Sequence, residues 1–260
     1  MAEARDYGPD ELLHRRMSHV RYAARSDDFF AWVVSHVPWR GDEVVLDVGC
    51  GAGLYFPYLR SARRVVALDP SARMLASARS RTFPGVSLVQ ARGEALPFPE
   101  GTFDVVFANH VLFFLEDVRR GIAEAHRVLR AGGIFVATTY TEGSFQATYS
   151  LHRRALHRVG RVAPPPPHAS FSLEKGVALV EDFFPHVEVD RYDDAFLFPT
   201  VEAGMAHYRS YAFDRVVGPP LTPPEREQVL EAVRRSIARA VQRHGVWRVD
   251  KSSGVIVARS

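Results

Sequence analysis

Two carboxylates and three alternating glycines carry the chemistry of this 260-residue chain: Asp47-Val48-Gly49-Cys50-Gly51-Ala52-Gly53, and then Asp69 twenty positions beyond Gly49. Glycines at every second position remove the β-carbons where a chain must bend sharply, and they let a ligand lie almost on the backbone. The apolar run Val44-Val45-Leu46 leads into this turn, so Asp47 stands at the carboxyl end of a strand, where ligands of open α/β sheets bind. Asp69 closes a second apolar run, Val65-Val66-Ala67-Leu68, and is placed to accept both hydrogen bonds of a ribose diol. On these residues an adenosyl cofactor and a dinucleotide are both open, although a dinucleotide turn wants its third glycine one residue after Gly53. Cys50 is the only cysteine, which excludes an internal disulfide and a cysteine-cluster zinc site. No base lies at a diagnostic spacing from it, so it reads as a small packing residue inside the turn. No metal is expected.

These groups need a sheet beneath them, and the first half of the chain alternates apolar β-rich runs with helical patterns, as βαβ units of a parallel sheet do. Strands are expected near 43–48, 64–68, 86–90, 103–108 and 133–139, with helices near 53–60, 71–81 and 117–130. Ser71 is the expected N-cap of the second helix, and Ala131-Gly132-Gly133 the stop of the third. Pro164 to Pro167 should form a rigid extended linker. Beyond it, 173–183 reads as helix and 186–198 as an alternating strand. Thr222-Pro223-Pro224-Glu225 is a capping box with proline in the first turn. The helix it opens carries Val229, Leu230, Val233, Ile237, Ala240 and Val241 at helical spacing until Gly245. Gly254 to Ala258 should be a last strand. At the front, 10–37 reads as one or two helices that cover a sheet edge or form part of a lid.

Four ordered motifs decide the cofactor. The glycine turn is followed by Asp69-Pro70-Ser71 with Met74-Leu75, then by Glu94-Ala95-Leu96-Pro97-Phe98-Pro99-Glu100-Gly101-Thr102-Phe103-Asp104, then by Val128-Leu129-Arg130-Ala131-Gly132-Gly133. In this order and spacing, across about residues 44 to 139, the chain resembles the class I S-adenosylmethionine-dependent methyltransferases. The resemblance implies a Rossmann-like seven-stranded, mostly parallel sheet with helices on both faces and an antiparallel final strand. It also implies a helical lid built from the N-terminus and from an insertion before the last strand. One domain would cover 1–260: a cap over 1–40, a cofactor-binding core over 41–142, and an acceptor-side half over 143–260 with its insertion near 199–245.

Carried over position by position, Gly49, Gly51 and Gly53 with Asp47 approach the methionine part of S-adenosylmethionine, and Asp69 with Pro70 holds the ribose. Gly93 and Glu94 frame the adenine, with Met74 beside it or in the core. Asn109 and His110 lie beneath the sulfonium. Relatives commonly read glycine-aspartate-alanine-glutamate where this chain reads Ala91-Arg92-Gly93-Glu94, so Arg92 replaces an acid that often accepts from the adenine amino group. Adenine recognition would then rest on backbone groups or stacking.

For the transfer itself, His110 is the first candidate for a general base, with a pocket-lining or backbone-bonded histidine as the plain alternative. Tyr22 and Arg21 are added as cofactor contacts, and Arg21 or Arg25 as partners for a carboxylate of cofactor or acceptor. Tyr7, His19, Tyr140, His207, Tyr208 and Tyr211 complete the lid and pocket candidates. Ala108-Asn109-His110-Val111 lacks the Pro-Pro-aromatic motif of the amino-methylating nucleic-acid enzymes, and no Pro-Cys nucleophile exists. The double-glutamate loop of the protein arginine enzymes is also missing, so a diffusible small molecule is favoured, methylated on oxygen or nitrogen, with carbon open. The carboxyl half faintly resembles methyltransferases that esterify carboxylates, the trans-aconitate and malonyl-carrier-protein enzymes among them.

Composition agrees with a globular enzyme: 47% hydrophobic and 24% charged, with a formal charge of +3. No run approaches the roughly 18 apolar residues of a membrane span, and the N-terminus lacks a signal-peptide layout, so a cytoplasmic enzyme without a membrane partner is expected. The basic excess is arginine, since Lys175 and Lys251 are the only lysines, and its pairs are scattered without forming a nucleic-acid stripe. An RNA- or ribosome-modifying methyltransferase and a non-catalytic module that binds S-adenosylmethionine stand as alternatives. Neither the acceptor's identity nor the oligomeric state is legible.

Overall fold

The computed structural model describes residues 20–213 and 215–260. Its centre is a seven-stranded sheet in the order β3-β2-β1-β4-β5-β9-β6, where β1 is Val44–Val48, β2 Arg64–Asp69, β3 Val86–Gln90, β4 Phe103–Asn109, β5 Leu129–Tyr140, β6 His186–Tyr192 and β9 Ser253–Arg259. Strands β3, β2, β1, β4 and β5 run parallel, whereas β9 lies antiparallel between β5 and β6. The order reverses between β1 and β4, so the ends of these strands open a crevice at the glycine turn.

The runs are apolar because both faces of the sheet are covered. Side chains alternate: Leu46, Val48, Val66, Leu68, Val106, Ala108, Phe135 and Ala137 enter one cluster, and Val45, Val65, Val105, Phe107, Ile134 and Val136 the other. Helix α3 (Val118–Val128) joins the first cluster through Ile122, Ala125 and Val128, and α5 (Leu173–Glu181) through Leu173 and Val180. Helix α1 (Phe29–Val34) covers the second with Val33 and Val34, helped by Tyr55 and Leu59. Helix α2 (Ala72–Ala78) starts at Ser71, whose hydroxyl accepts from the Met74 N–H at 3.3 Å.

Several boundaries differ from the sequence pattern for identifiable reasons. The segment expected to be helical over 53–60 makes only a short 3-10 turn at Phe56–Tyr58, with Pro57 unable to donate a helical bond. Helix α3 stops at Val128, three residues before Ala131, because β5 begins at Leu129 and bulges through Gly132, φ 73°, to resume pairing at Ile134. The alternating run 186–198 breaks at Asp193-Asp194 into two strands that belong to different sheets. Helix α4 (Gln146–His157) has no side-chain cap; it starts from Phe145 at φ 59°, which is why its N-terminus carries no sequence signal.

Between β6 and β9 the chain leaves the main sheet to form a second layer. Here β7 (Ala195–Phe198) pairs antiparallel with β8 (Trp247–Asp250), and between them lie α6 (Val201–Tyr211) and α7 (Pro223–His244). The capping box forms, with Glu225 accepting from the Thr222 N–H at 2.7 Å, and Gly245 ends α7 at φ 75°. Val229, Val233 and Ile237 of α7 are fully buried against α4, α6 and the ribbon. The segment before α1 is sewn to this ribbon, since the Leu197 N–H donates to Tyr22 O at 2.8 Å and the Ala24 N–H to Ala195 O at 2.7 Å. Asp194 closes the seam: its Oδ1 accepts from the N–H groups of Ala24, Arg25 and Ala195, and Lys251 Nζ reaches Oδ2 at 3.4 Å.

Asp194 is only 7% exposed, so its removal takes the acceptor from the Arg25 and Ala195 N–H groups and from the Lys251 ammonium, while the Ala24 N–H keeps Ala195 O. Asp194→Ala is expected to cost about 3 kcal/mol, more than a typical substitution, and Asp194→Asn clearly less. Urea unfolding of the two variants measures both.

Candidate functional site

The carboxyl ends of β2, β1, β4 and β5 present, side by side, Asp69, the glycine turn, Asn109 with His110, and Tyr140. At about 4.8 Å per strand spacing this row is about 14 Å long, the scale of a nucleoside with its substituent.

The glycines of the turn do two different things. A β-carbon on Gly49 (φ 69°) would lie 2.2 Å from a Val111 methyl, and one on Gly53 (φ 75°) 2.5 Å from the Phe56 ring. Both glycines therefore answer to packing within the protein. Gly51, at φ 54°, would meet nothing within 4 Å, so it alone of the three lays bare backbone open to a ligand. The turn is tied to β2 by Gly49 and Cys50 N–H groups that share Leu68 O at 2.7 and 2.9 Å. The Cys50 thiol is pushed up by burial and then by the Asp47 and Asp69 charges, so it stays protonated and unreactive.

Asp69 bridges the two neighbouring elements. Its Oδ2 accepts from the Gly51 N–H and its Oδ1 from the Ser71 N–H, both at 2.9 Å. The adjoining Pro70 is held from β3, where Gln90 Nε2 donates to Pro70 O at 3.0 Å. Burial raises the Asp69 pKa and these two N–H bonds partly offset the rise. Asp47 is 1% exposed, and its Oδ2 has no hydrogen-bond partner among the described residues. Burial, with Asp69's charge second, pushes its pKa up to about 7. A carboxylate in such a place is relieved by a cation. Beside it the Tyr55 phenol, also buried, is raised well above its ordinary range, by burial first and by Asp47's charge second.

His110 is held in a left-handed conformation, φ 51°, with its N–H donating to Thr138 O at 3.0 Å. Outside glycine that conformation costs energy and here aims the side chain. The imidazole stacks on Tyr140, ring centroids 4.4 Å apart, and lies 5.7 Å from Phe29 and 6.4 Å from Phe113. Asn109 Oδ1 accepts from the Thr138 hydroxyl at 3.2 Å, and its buried Nδ2 has no hydrogen-bond partner among the described residues.

The remaining candidates separate. Gly93 is buried between Val48 and Leu115, whose side chains a β-carbon would meet at 3.2 and 3.3 Å. Glu94 is bonded within the protein: Oε1 accepts from the Glu116 N–H at 2.9 Å and from Arg92 Nη2 at 3.4 Å, while Arg120 Nε donates to its carbonyl. Arg92 in turn reaches Glu116 at 3.2 Å, so Glu94 and Arg92 lock the loop after β3 to the start of α3. Met74 sits half-buried in the first turn of α2. Arg21 lies over the Tyr22 ring, which packs on Phe198 of the ribbon, and Arg25 is engaged by Asp27 and the Tyr192 ring. His207, Tyr208 and Tyr211 are in the packing of the inserted layer, with His207 bonded to Thr148 and Tyr208 to His152. Tyr7 and His19 lie outside the described residues. Phe29, Tyr55 and His168 join the site without a sequence signal, because single aromatic and histidine residues in apolar runs look like core until the topology brings them to the strand ends.

Residues 46–137 match the family model described as "Methyltransferase domain". A malonyl-[acyl-carrier protein] O-methyltransferase from Enterobacter lignolyticus is 33% identical over 144 residues, 55% of this chain and 54% of that protein. The chain thus spans about half the length of the curated relatives it matches. Among solved structures, YcgJ of Bacillus subtilis superposes with a TM-score of 0.62 at 16% identity, over 89% of this chain and 97% of that one. A phosphoethanolamine N-methyltransferase of Haemonchus contortus, solved with S-adenosylhomocysteine, gives 0.54 at 15% identity over 89% of this chain and 52% of its own.

The folded protein holds the Asp47 proton more tightly than the unfolded chain does. Its contribution to stability is therefore intact below about pH 4 and is lost as the pH rises toward about 7, so stability falls with pH across that window. Asp47→Asn should flatten this part of the pH dependence, leaving the smaller part that Asp69 supplies. Urea midpoints of the two proteins across the window measure the difference.

Proposed function

We propose that this chain, whose residues 46–137 belong to the methyltransferase-domain family and whose sheet has the class I order, moves a methyl group from S-adenosylmethionine to a small-molecule acceptor. The observation that carries the reading is Asp69 bound to the N–H of Gly51, the glycine whose missing side chain leaves open space. Each Asp69 oxygen spends one lone pair on a backbone N–H, and the remaining lone pairs suit a ribose diol. Asp47, a buried carboxylate with an orphan oxygen, suits the positive charge that S-adenosylmethionine carries. The donor set fits the cofactor.

When bound, S-adenosylmethionine supplies a methyl group already activated by a positive sulfur, so alignment of the nucleophile and exclusion of water do most of the work. Phe29, Phe113 and Tyr140 supply the dry wall at the end of β4 and β5. His110, fixed by its backbone bond and by Tyr140, removes a proton from a hydroxyl acceptor or holds a carboxylate, which is already ionised. The O-methyltransferase name of the Enterobacter relative supports oxygen as the acceptor atom in preference to nitrogen or carbon.

Calorimetry is expected to show S-adenosylhomocysteine binding, no NAD binding, and loss of the former in Asp69→Ala; a preference for NAD overturns the reading. Label from methyl-labelled S-adenosylmethionine should enter small molecules of an extract whether or not nuclease is added, and label confined to RNA would assign the chain to nucleic-acid modification. His110→Ala should lower turnover about a hundredfold, the usual worth of a positioned base, with S-adenosylhomocysteine affinity nearly unchanged. Near-normal turnover in that variant sets His110 aside.

A further inference from the structure

One buried histidine of the site carries a ring nitrogen that the fold does not use. The proline run 164–167 ends in a turn, Pro167–Ser170, that lies against Tyr140. His168 in that turn is 2% exposed, and its buried Nε2 has no hydrogen-bond partner among the described residues. Its ring stands edge-on to Tyr140 at 5.5 Å and lies 6.1 Å from Tyr149, so Tyr140 contacts both His110 and His168. The turn is braced: Ser170 Oγ donates to Phe113 O, Lys175 Nζ to Ala169 O at 2.8 Å, and the Thr139 hydroxyl to Phe171 O at 2.5 Å.

Buried polar side chains in folded proteins are nearly always satisfied, and an orphan one is retained at a cost of about 1–3 kcal/mol. A leucine in the same aromatic surroundings would avoid that cost. Burial lowers the His168 pKa to about 4, with Arg215 assisting and Glu174 and Glu142 opposing, so the ring is neutral near pH 7 and offers hydrogen bonding without charge. Its place decides which ligand it meets. The glycine turn and Asp69 belong to β1 and β2, whereas His168 lies against Tyr140 at the end of β5 in a turn bonded to Phe113 after β4, among the aromatic residues that surround His110.

We infer that His168 is an acceptor-binding residue, its Nε2 hydrogen-bonding an oxygen of the acceptor other than the one that receives the methyl group. The inference rests on the reading that the acceptor lies at the His110 and Tyr140 edge. It assigns the acceptor to oxygen-rich compounds, hydroxy or carboxy, with a second polar atom beyond the reacting one.

Two measurements on His168→Leu and His168→Asn test it. In the absence of ligands the leucine variant should melt above the wild type, since an unsatisfied polar atom has been removed from an apolar setting; a lower melting temperature shows a structural histidine and overturns the inference. Methyl transfer is then followed with malonyl-CoA, trans-aconitate and the small-molecule fraction of an extract as probes. With a probe that the wild type methylates, leucine should raise the acceptor KM about tenfold, the loss of one hydrogen bond, with kcat and S-adenosylhomocysteine affinity nearly unchanged. Asparagine should recover most of the loss. An unchanged KM in the leucine variant overturns the inference, whereas a wild type that methylates none of the probes counts against the proposed function, and the melting comparison still decides on His168.

Discussion

The carboxylate of Asp69 is the tie on which the β1 and β2 end of the site depends. One oxygen fixes the Gly51 N–H of the turn after β1, and the other fixes the Ser71 N–H at the start of α2. One side chain thereby ties the turn to the start of the helix. The cost is a second acid, Asp47, buried nearby with its charge opposed by both desolvation and Asp69. Two carboxylates in one crevice are tolerable in a protein whose ligand brings positive charge, and they select against a ligand that brings phosphate.

This polarity divides the row of strand ends. From β2 to β1 it is acidic and lined by backbone; from β4 to β5 it is aromatic, with His110 against Phe29, Phe113 and Tyr140, and Phe113 against Tyr140. The strain at His110 belongs to the second half. Its left-handed φ turns the imidazole onto Tyr140, and Thr138, the β5 residue paired with Asn109, pins it through its carbonyl. The inserted layer is tied into the same place, because Asp194 and Lys251 sit where the ribbon leaves the sheet, and Lys251 Nζ lies 5.9 Å from the Phe29 ring centroid.

How much of this the sequence discloses depends on whether a feature is local. Gly49, Gly51, Gly53, Asp69, the Ser71 cap and the Thr222 capping box are readable because each is a short-range device with its partners a few residues or one strand away. The parallel order of the first five strands follows from the alternation of apolar runs and helices. The reasons behind the glycines are less accessible: Val111 and Phe56 explain Gly49 and Gly53, and Val111 lies 62 positions from Gly49. Glu94 illustrates the same limit, since its partners at Glu116 and Arg120 turn a motif residue into an anchor of the loop. Helix α4 and the break at Asp193-Asp194 were hidden for a third reason, as both depend on how the inserted layer packs and on no local signal.

Arg92 is then best understood through that anchor. Where the family pattern has an acid, this chain has an arginine that pairs with Glu94 and Glu116 and so pulls the loop after β3 toward α3. An acid at this position would sit beside two others. The arginine removes that repulsion and leaves the loop's backbone, with Gly93 packed on Val48 and Leu115, as the surface nearest to the end of β3. The exchange leaves Arg92 and Glu94 bound to the start of α3, with Asp47 and Asp69 as the buried acids at the ends of β1 and β2.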